Sequence, residues 1–462
     1  MSTGTRESPP APGNPRPVAF PQVRRTTLAN GLRVLVAEDH DLPVAYALLV
    51  VRAGSGADPE NLPGVAAFTS SMLLEGTARR PRDRIVEEVE QVGGDLATSS
   101  DEDRTTIGVQ ILSADLPMAI ELLAEVASSP SFPAAGVEKI RQKQSGELMR
   151  SLTDPGFLGR RQLYRVLYGD RHPYAHIAAT EAALAAITVS DLERFHRRRF
   201  FPGAASLVVV GDVRPNEVRD LAERHLAGWK ADGQTVAEPA APTAGTGGAS
   251  ATKLRRVHLV HRPGSVQAMI LLAAPALRRA DPGWIPLVVG NQVLGGSASA
   301  RLFMNLRERN SLTYGAYSSL GARRGVGPIV CSGSSRNEVA GRAMEEFLVE
   351  IDRLSGETIP GDEMDAAQSY LCGIFPTQIE TPANVASMIG QQEVFGLPED
   401  YWDTYRDRVG AVSEPMARRS IAALLDPARL EVVVVGDRAA IGSQLERFGP
   451  ILVWDTEGNA AS

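Results

Sequence analysis

The sequence predicts a protein of two similar halves, each a layered unit of sheet and helix, and three observations predict it. The first is an internal repeat. Leu32-Arg33-Val34-Leu35-Val36 opens one half and Arg256-Val257-His258-Leu259-Val260 the other, 224 residues apart. A strand ending in Gly-Asp then recurs, at Leu207-Val208-Val209-Val210-Gly211-Asp212 and Val432-Val433-Val434-Val435-Gly436-Asp437, at an offset of 225. Two matches at nearly one spacing indicate duplication of a unit of that length. The second observation is that β-rich and helical runs alternate within each half, which implies layers of mixed topology. The third is a stretch rich in Ala, Gly, Thr and Pro at residues 231–253, with Gly245-Thr246-Gly247-Gly248 at its most flexible point. It reads as a linker that lets the two lobes face each other as a hinged clamshell.

Taken in order, residues 1–22 hold six prolines (9, 10, 12, 15, 17 and 21) and little apolar content. They read as a disordered leader without the apolar core of a signal peptide. The expected location is therefore cytoplasmic, or periplasmic if an export signal has been trimmed. The first half runs over 23–230. Val44 to Val51 is an almost continuous apolar strand, suited to a covered sheet. Ile85, Val89 and Val92 have the spacing of an amphipathic helix over 83–92, capped by Asp83 or the turn at Pro81. Ala114 to Ala127 and Ala135 to Leu152 read as helices too. The second half runs over 254–455.

Composition narrows the function classes. At 462 residues the chain is too long for one ordinary core, and 43% apolar with 22% charged residues describes a globular protein. A net charge of −7 argues against a general nucleic-acid binder. No apolar run reaches membrane-spanning length. Cys331 and Cys372 are the only cysteines, too few for a disulfide framework or a cysteine zinc cluster. They read as ordinary buried thiols, with their pairing left open.

The most informative segment is Gly64-Val65-Ala66-Ala67-Phe68-Thr69-Ser70-Ser71-Met72-Leu73-Leu74-Glu75-Gly76-Thr77. It resembles the metal-binding helix of the pitrilysin, insulysin and mitochondrial processing peptidase family, the inverted zincins. In active members this helix carries His-x-x-Glu-His, two imidazole ligands one turn apart with a glutamate as general base. Here those positions are Ala67, Ser70 and Ser71. A methyl and two hydroxyls neither hold Zn²⁺ nor act as a carboxylate base. The resemblance extends from about residue 25 to 450 through Asn30-Gly31-Leu32, Gly169-Asp170-Arg171-His172-Pro173-Tyr174, Phe195 to Pro202 and Gly211-Asp212-Val213. It implies an α+β fold: two homologous halves, each a mostly antiparallel sheet flanked by helices, closing as a clamshell around a chamber. The family's third zinc ligand, a glutamate further along, falls by counting on Glu147. One carboxylate alone is a feeble metal site, so a solvated or salt-bridged helix residue is the expectation there.

In the second half, Leu306-Arg307-Glu308-Arg309-Asn310-Ser311-Leu312-Thr313-Tyr314 resembles the segment of active members that presents an arginine and a tyrosine to the zinc from the opposite lobe. Arg307 and Tyr314 match that pair at its spacing. A guanidinium can hold a substrate carbonyl or carboxylate, and a phenol can donate to the oxyanion of a tetrahedral intermediate. Without the resemblance they would read as a solvated helix arginine and a half-buried strand tyrosine.

Other candidates are weaker. His172 and His176 are split by Pro173 and do not share a regular helix face. His258 and His261, three apart on a strand, point to opposite faces. Neither serine of the helix sits in a Gly-x-Ser-x-Gly elbow, and Gly295-Gly296 lacks the Gly-Lys-Ser/Thr of a phosphate loop. Some enzymes of the family divide the site between two chains, one with the zinc motif and one with the Arg/Tyr pair. The expectation is a non-zinc subunit with no cofactor of its own, paired with a homologous zinc-bearing subunit and acting on unfolded peptides. The competing expectation is an inert structural or peptide-binding core subunit.

Overall fold

The computed structural model describes residues 17–230 and 255–461. The expected linker at 231–253 and residues 1–16 of the expected leader lie outside them. Six strands form the first sheet: β1 Val23–Thr27, β2 Arg33–Glu38, β3 Val44–Val51, β4 Asp95–Ser100, β5 Thr105–Leu112 and β6 Ala205–Gly211, in the order β1-β2-β6-β3-β5-β4. Its pairings are antiparallel except β2 with β6. The second sheet contains β7 Val257–His261, β8 Gln267–Pro275, β9 Thr313–Leu320, β10 Pro328–Arg336, β11 Glu431–Gly436 and β12 Ile451–Trp454, in the order β12-β7-β11-β8-β10-β9. Here β7 is parallel to both β11 and β12. Five positions of the two sheets correspond. The sixth does not: β1 is a hairpin neighbour of β2, whereas β12 returns from the end of the chain. The two Gly-Asp strands, β6 and β11, are central in their sheets, and each is followed by a further helix, Pro215–Leu226 and Arg438–Leu445.

The first half's helices include α1 Val65–Met72, α2 Arg82–Gln91, α3 Leu116–Ser128, α4 Ala134–Ser151 and α5 Pro155–Tyr168. Helices α2 to α4 fall within two residues of the expected segments at every end. Pro81 occupies the N-cap of α2 with no side-chain cap bond, so Asp83 contributes only first-turn charge.

Strand periodicity sends alternate side chains into different cores. Val34, Val36, Ala45, Ala47, Leu49 and Val51 face α1 and α3 in a core confined to the first half. Leu35, Ala37, Leu48 and Val50 face the other way and join a core that continues through Val257, Ile270, Leu272 and Val434 of the second half. The helices are exchanged across this boundary. Helix Pro382–Phe395, from the second half, packs on β3 and β6, while α5, from the first, packs on β8 and β11. Gly159 lets α5 approach: a Cβ there would lie 2.4 Å from Leu271 Cδ1. Each Leu or Val fully buried in such a core contributes about 1.5–3 kcal/mol. Any opening about residues 231–253 would have to break this shared core.

A polar latch also joins the halves where the β4–β5 and β9–β10 hairpins meet. The Arg323 guanidinium pairs with Glu102 at 2.5 Å, both largely buried. Asp103 accepts from the Arg324 backbone N–H at 2.8 Å and from the Tyr174 hydroxyl at 2.5 Å. Tyr168 donates to the Val326 carbonyl at 3.0 Å.

The chain packs earlier than the expected boundary at residue 22. Phe20 is buried, its ring centroid 6.4 Å from that of Trp402. No described helix is long and apolar enough to cross a membrane. Cys331 is buried and Cys372 half-buried, and both are free thiols.

Candidate active site

Helix α1 begins at Gly64, whose φ of +96° is a left-handed conformation that favours glycine. Gly64 has no side chain to cap with, and Asp58 does so from six residues upstream. Its Oδ2 accepts from Gly64 N–H at 2.6 Å and its Oδ1 from Ala66 N–H at 2.9 Å. Burial pushes the Asp58 carboxyl up to about 7 against the pull of those two donors. The helix is regular to its end. Ala67 is exposed, Ser70 buried and Ser71 half-buried. Ser71 Oγ donates to the Ala67 carbonyl at 3.1 Å, and the Ser70 backbone carbonyl accepts from Thr98 Oγ1 of β4 at 2.9 Å.

The α4 side chain bonded to this helix is Gln144, whose Nε2 donates to Ser71 Oγ at 3.2 Å. Glu147 lies one turn further on, exposed, with its carboxylate 4.0 Å from Lys143 Nζ. Counting along the sequence passed over Gln144. The signal that could have found it is helical geometry, since positions three apart share a face. Among the described residues, no group of three or more His, Cys, Asp or Glu is placed to hold a metal.

The histidines serve the fold. His172 Nδ1 accepts from Tyr174 N–H at 3.1 Å and its ring stacks on Tyr168, while His176 Nε2 is 2.9 Å from the Asp170 carbonyl. His258 is buried, accepts from the Trp454 indole at 3.2 Å, and is pushed down to about 4 by its burial. His261 Nδ1 accepts from the Arg438 backbone N–H at 3.1 Å.

The segment of the second half is irregular throughout. Helix Trp284–Gly295 packs against β9, and Gly295 permits a close approach: a Cβ there would sit 2.4 Å from Ser318 N. That accounts for this glycine without a phosphate. Helix Arg301–Phe303 then widens into a π-helical turn, Met304–Arg309, which carries Arg307. Asn310 N–H reaches back to the Asn305 carbonyl at 3.1 Å, and Ser311, at φ +52°, donates to the Arg307 carbonyl at 3.0 Å. Ser311 is one of two described non-glycine residues with positive φ. Next, Thr313 pairs with Ser335 while Ala316 pairs with Gly333, so Tyr314 and Gly315 form a β-bulge on the edge strand β9. A π-turn, a left-handed serine and a bulge within a dozen residues re-aim both side chains; such features concentrate at functional sites.

Both side chains are displayed. Tyr314 is 82% exposed. Its hydroxyl has no hydrogen-bond partner among the described residues. Arg307 lies over the Phe303 ring at 4.9 Å, with Nε 3.5 Å from Glu308 Oε1, a surface pair of little energetic weight. The π-turn packs directly on β9, bringing the elements that bear Arg307 and Tyr314 together.

Comparison with known proteins agrees with this architecture. The profile described as insulinase, peptidase family M16, matches residues 33–164, and that described as the peptidase M16 inactive domain matches residues 186–371. An uncharacterized zinc protease of Streptomyces coelicolor is 25% identical over 414 residues, covering 90% of this chain and 89% of that protein. Mitochondrial cytochrome b-c1 complex subunit 1 of Bos taurus is 26% identical over 282 residues, 60% of this chain and 56% of that one. A crystal structure of a peptidase M16 inactive domain from Pseudomonas fluorescens superposes with a TM-score of 0.83 at 26% identity, covering 91% of this chain and 99% of that one. The chain belongs to the insulinase-like M16 peptidase family.

Proposed function

We propose that this chain is the non-zinc subunit of a two-chain M16 peptidase and lends Arg307 and Tyr314 to a homologous partner that carries Zn²⁺ and the general base. The observation that carries the reading is the display of these two side chains on a π-turn and a β-bulge. A scaffold has no use for that irregularity; Tyr314 is exposed, and the contacts of Arg307 are with its near neighbours Phe303 and Glu308. Arg307 would hold a peptide carbonyl, and the Tyr314 phenol would donate to the oxyanion of the tetrahedral intermediate; Zn²⁺ in the partner would supply the activation of water. Substrates would be extended, unfolded peptides, added as a strand to an open sheet edge. In the test, the chain is mixed with a zinc-bearing homologue and cleavage of an unfolded peptide is followed. Joint activity absent from either chain alone is expected, with Tyr314→Phe lowering kcat about 10²–10³-fold, the usual cost of losing an oxyanion donor, and Arg307→Ala lowering kcat/KM. Joint activity unchanged by both substitutions would remove the catalytic role.

The likeness to a cytochrome b-c1 subunit favours a second reading, an inert core subunit. That reading predicts a stable complex with a partner but no activity that depends on Arg307 or Tyr314.

A further inference from the structure

On the far side of the same π-turn, the loop before helix Arg301–Phe303 and the helices Trp284–Gly295, Ala340–Gly356 and Gly361–Gln378 enclose a cavity of about 110 Å³. Its wall holds three guanidinium groups, Arg301, Arg309 and Arg353, and two carboxylates, Glu350 and Glu363. With all five ionised the wall carries one net positive charge. Arg301 is the central group. Its side chain is only 7% exposed; Nε donates to Glu363 Oε2 at 2.6 Å, but Nη1 is buried without a hydrogen-bond partner. Arg309 has no ion-pair or hydrogen-bond partner for its guanidinium among the described residues. Arg353 is held by Glu350 at 3.0 Å, and the buried Glu350 also accepts from Asn305 Nδ2 at 2.8 Å. Burial raises the Glu350 carboxyl above its ordinary range, against the pull of Arg353. Ser297 and Ser299, their hydroxyls 3.0 Å apart, complete the rim with neutral donors.

A buried guanidinium donor left without an acceptor is costly, and an anion within reach removes that cost. Paired arginine forks match the geometry of a carboxylate or phosphate group. From the orphaned buried donor, the unpaired Arg309 and the charge excess, we infer that this cavity is a binding site for a small oxyanion, either the carboxylate of a small acid or inorganic phosphate. The site is separate from the displayed Arg307 and Tyr314. It shares the π-turn of Arg307, so an occupant contacting Arg301 and Arg309 would clamp both ends of the segment that carries Arg307.

The test is calorimetric titration of the full single chain with sodium acetate and with sodium phosphate, each balanced against sodium chloride at constant ionic strength. Hydrogen exchange at residues 304–309 is followed in parallel. Saturable binding of at least one of the two anions is expected, together with slower exchange in that turn, and the anion that binds identifies the source. Arg301→Gln should abolish binding. Because Arg301 is buried and paired with Glu363, the exposed Arg309→Gln is the second variant, expected to fold normally and to bind at least tenfold more weakly. If neither anion binds beyond the chloride control, or if Arg309→Gln binds as tightly as the parent, the inference is overturned.

Discussion

The two halves descend from one unit, yet they treat corresponding regions in opposite ways. The segment of the first half that resembles the zinc-motif helix is a regular helix whose Ser71 is tied to its own backbone and to Gln144. The segment of the second half that carries Arg307 and Tyr314 departs from regular geometry three times and turns both side chains outward. Where ligands are absent, the backbone is relaxed and polar groups are spent on local hydrogen bonds. Where side chains are held for outside use, local strain persists because the surrounding packing enforces it.

The largest expected effect tests whether the halves act as one body. Arg323→Ala leaves Glu102 and Asp103 buried without their cation, and should cost about 3–5 kcal/mol of stability in denaturant melts. Adding Glu102→Gln should recover part of that loss, and two independent transitions in the melt would instead show that the halves unfold separately. Next comes the helix cap of the first half. The folded carboxyl of Asp58 lies near 7, above the ordinary value of 3.8. Below pH 3.8 both folded and unfolded states bind the proton. As pH rises, the unfolded state ionises first, so this group removes stability between about pH 4 and 7. Asp58→Asn should flatten that slope while giving up one of the two cap hydrogen bonds, and a slope unchanged by the substitution would refute the assignment. A smaller effect separates lost ligands from lost geometry. Ala67→His with Ser71→His should bind zinc weakly, and adding Gln144→Glu should tighten it about tenfold. Equal affinity without the Gln144 change would point back to Glu147.

Much of the fold was legible because its signals are local. The apolar run of β3 matched the strand residue for residue, the 3.6-residue period found α2, and α3 and α4 fell where helices were expected. The repeated Gly-Asp strands exposed the duplication. Contacts that join distant residues were not legible: α5 lying on the other half's sheet, Arg323 reaching Glu102, and Phe20 packing on Trp402. No periodicity encodes which sheet a helix will cover. At the candidate site, the types and spacing of Arg307 and Tyr314 could be read from the chain, but the π-turn and bulge that display them could not. Both depend on one extra residue being absorbed in place, a matter of packing against β9 and β10. The contact of Gln144 with Ser71 was not legible either, because a count along the sequence does not follow the turn of a helix.

The contrast between the halves is tested most directly by one measurement, the peptidase activity of the reconstituted pair with substitutions in each half side by side. Ser71→Ala, in the first half, should leave kcat within twofold of the parent pair and stability within about 0.5 kcal/mol, as a partly exposed hydroxyl would. Tyr314→Phe, in the second, should lower kcat about 10²-fold or more with the melting temperature unchanged. Equal activity for the two variants would contradict the assignment of the chemistry to the second half.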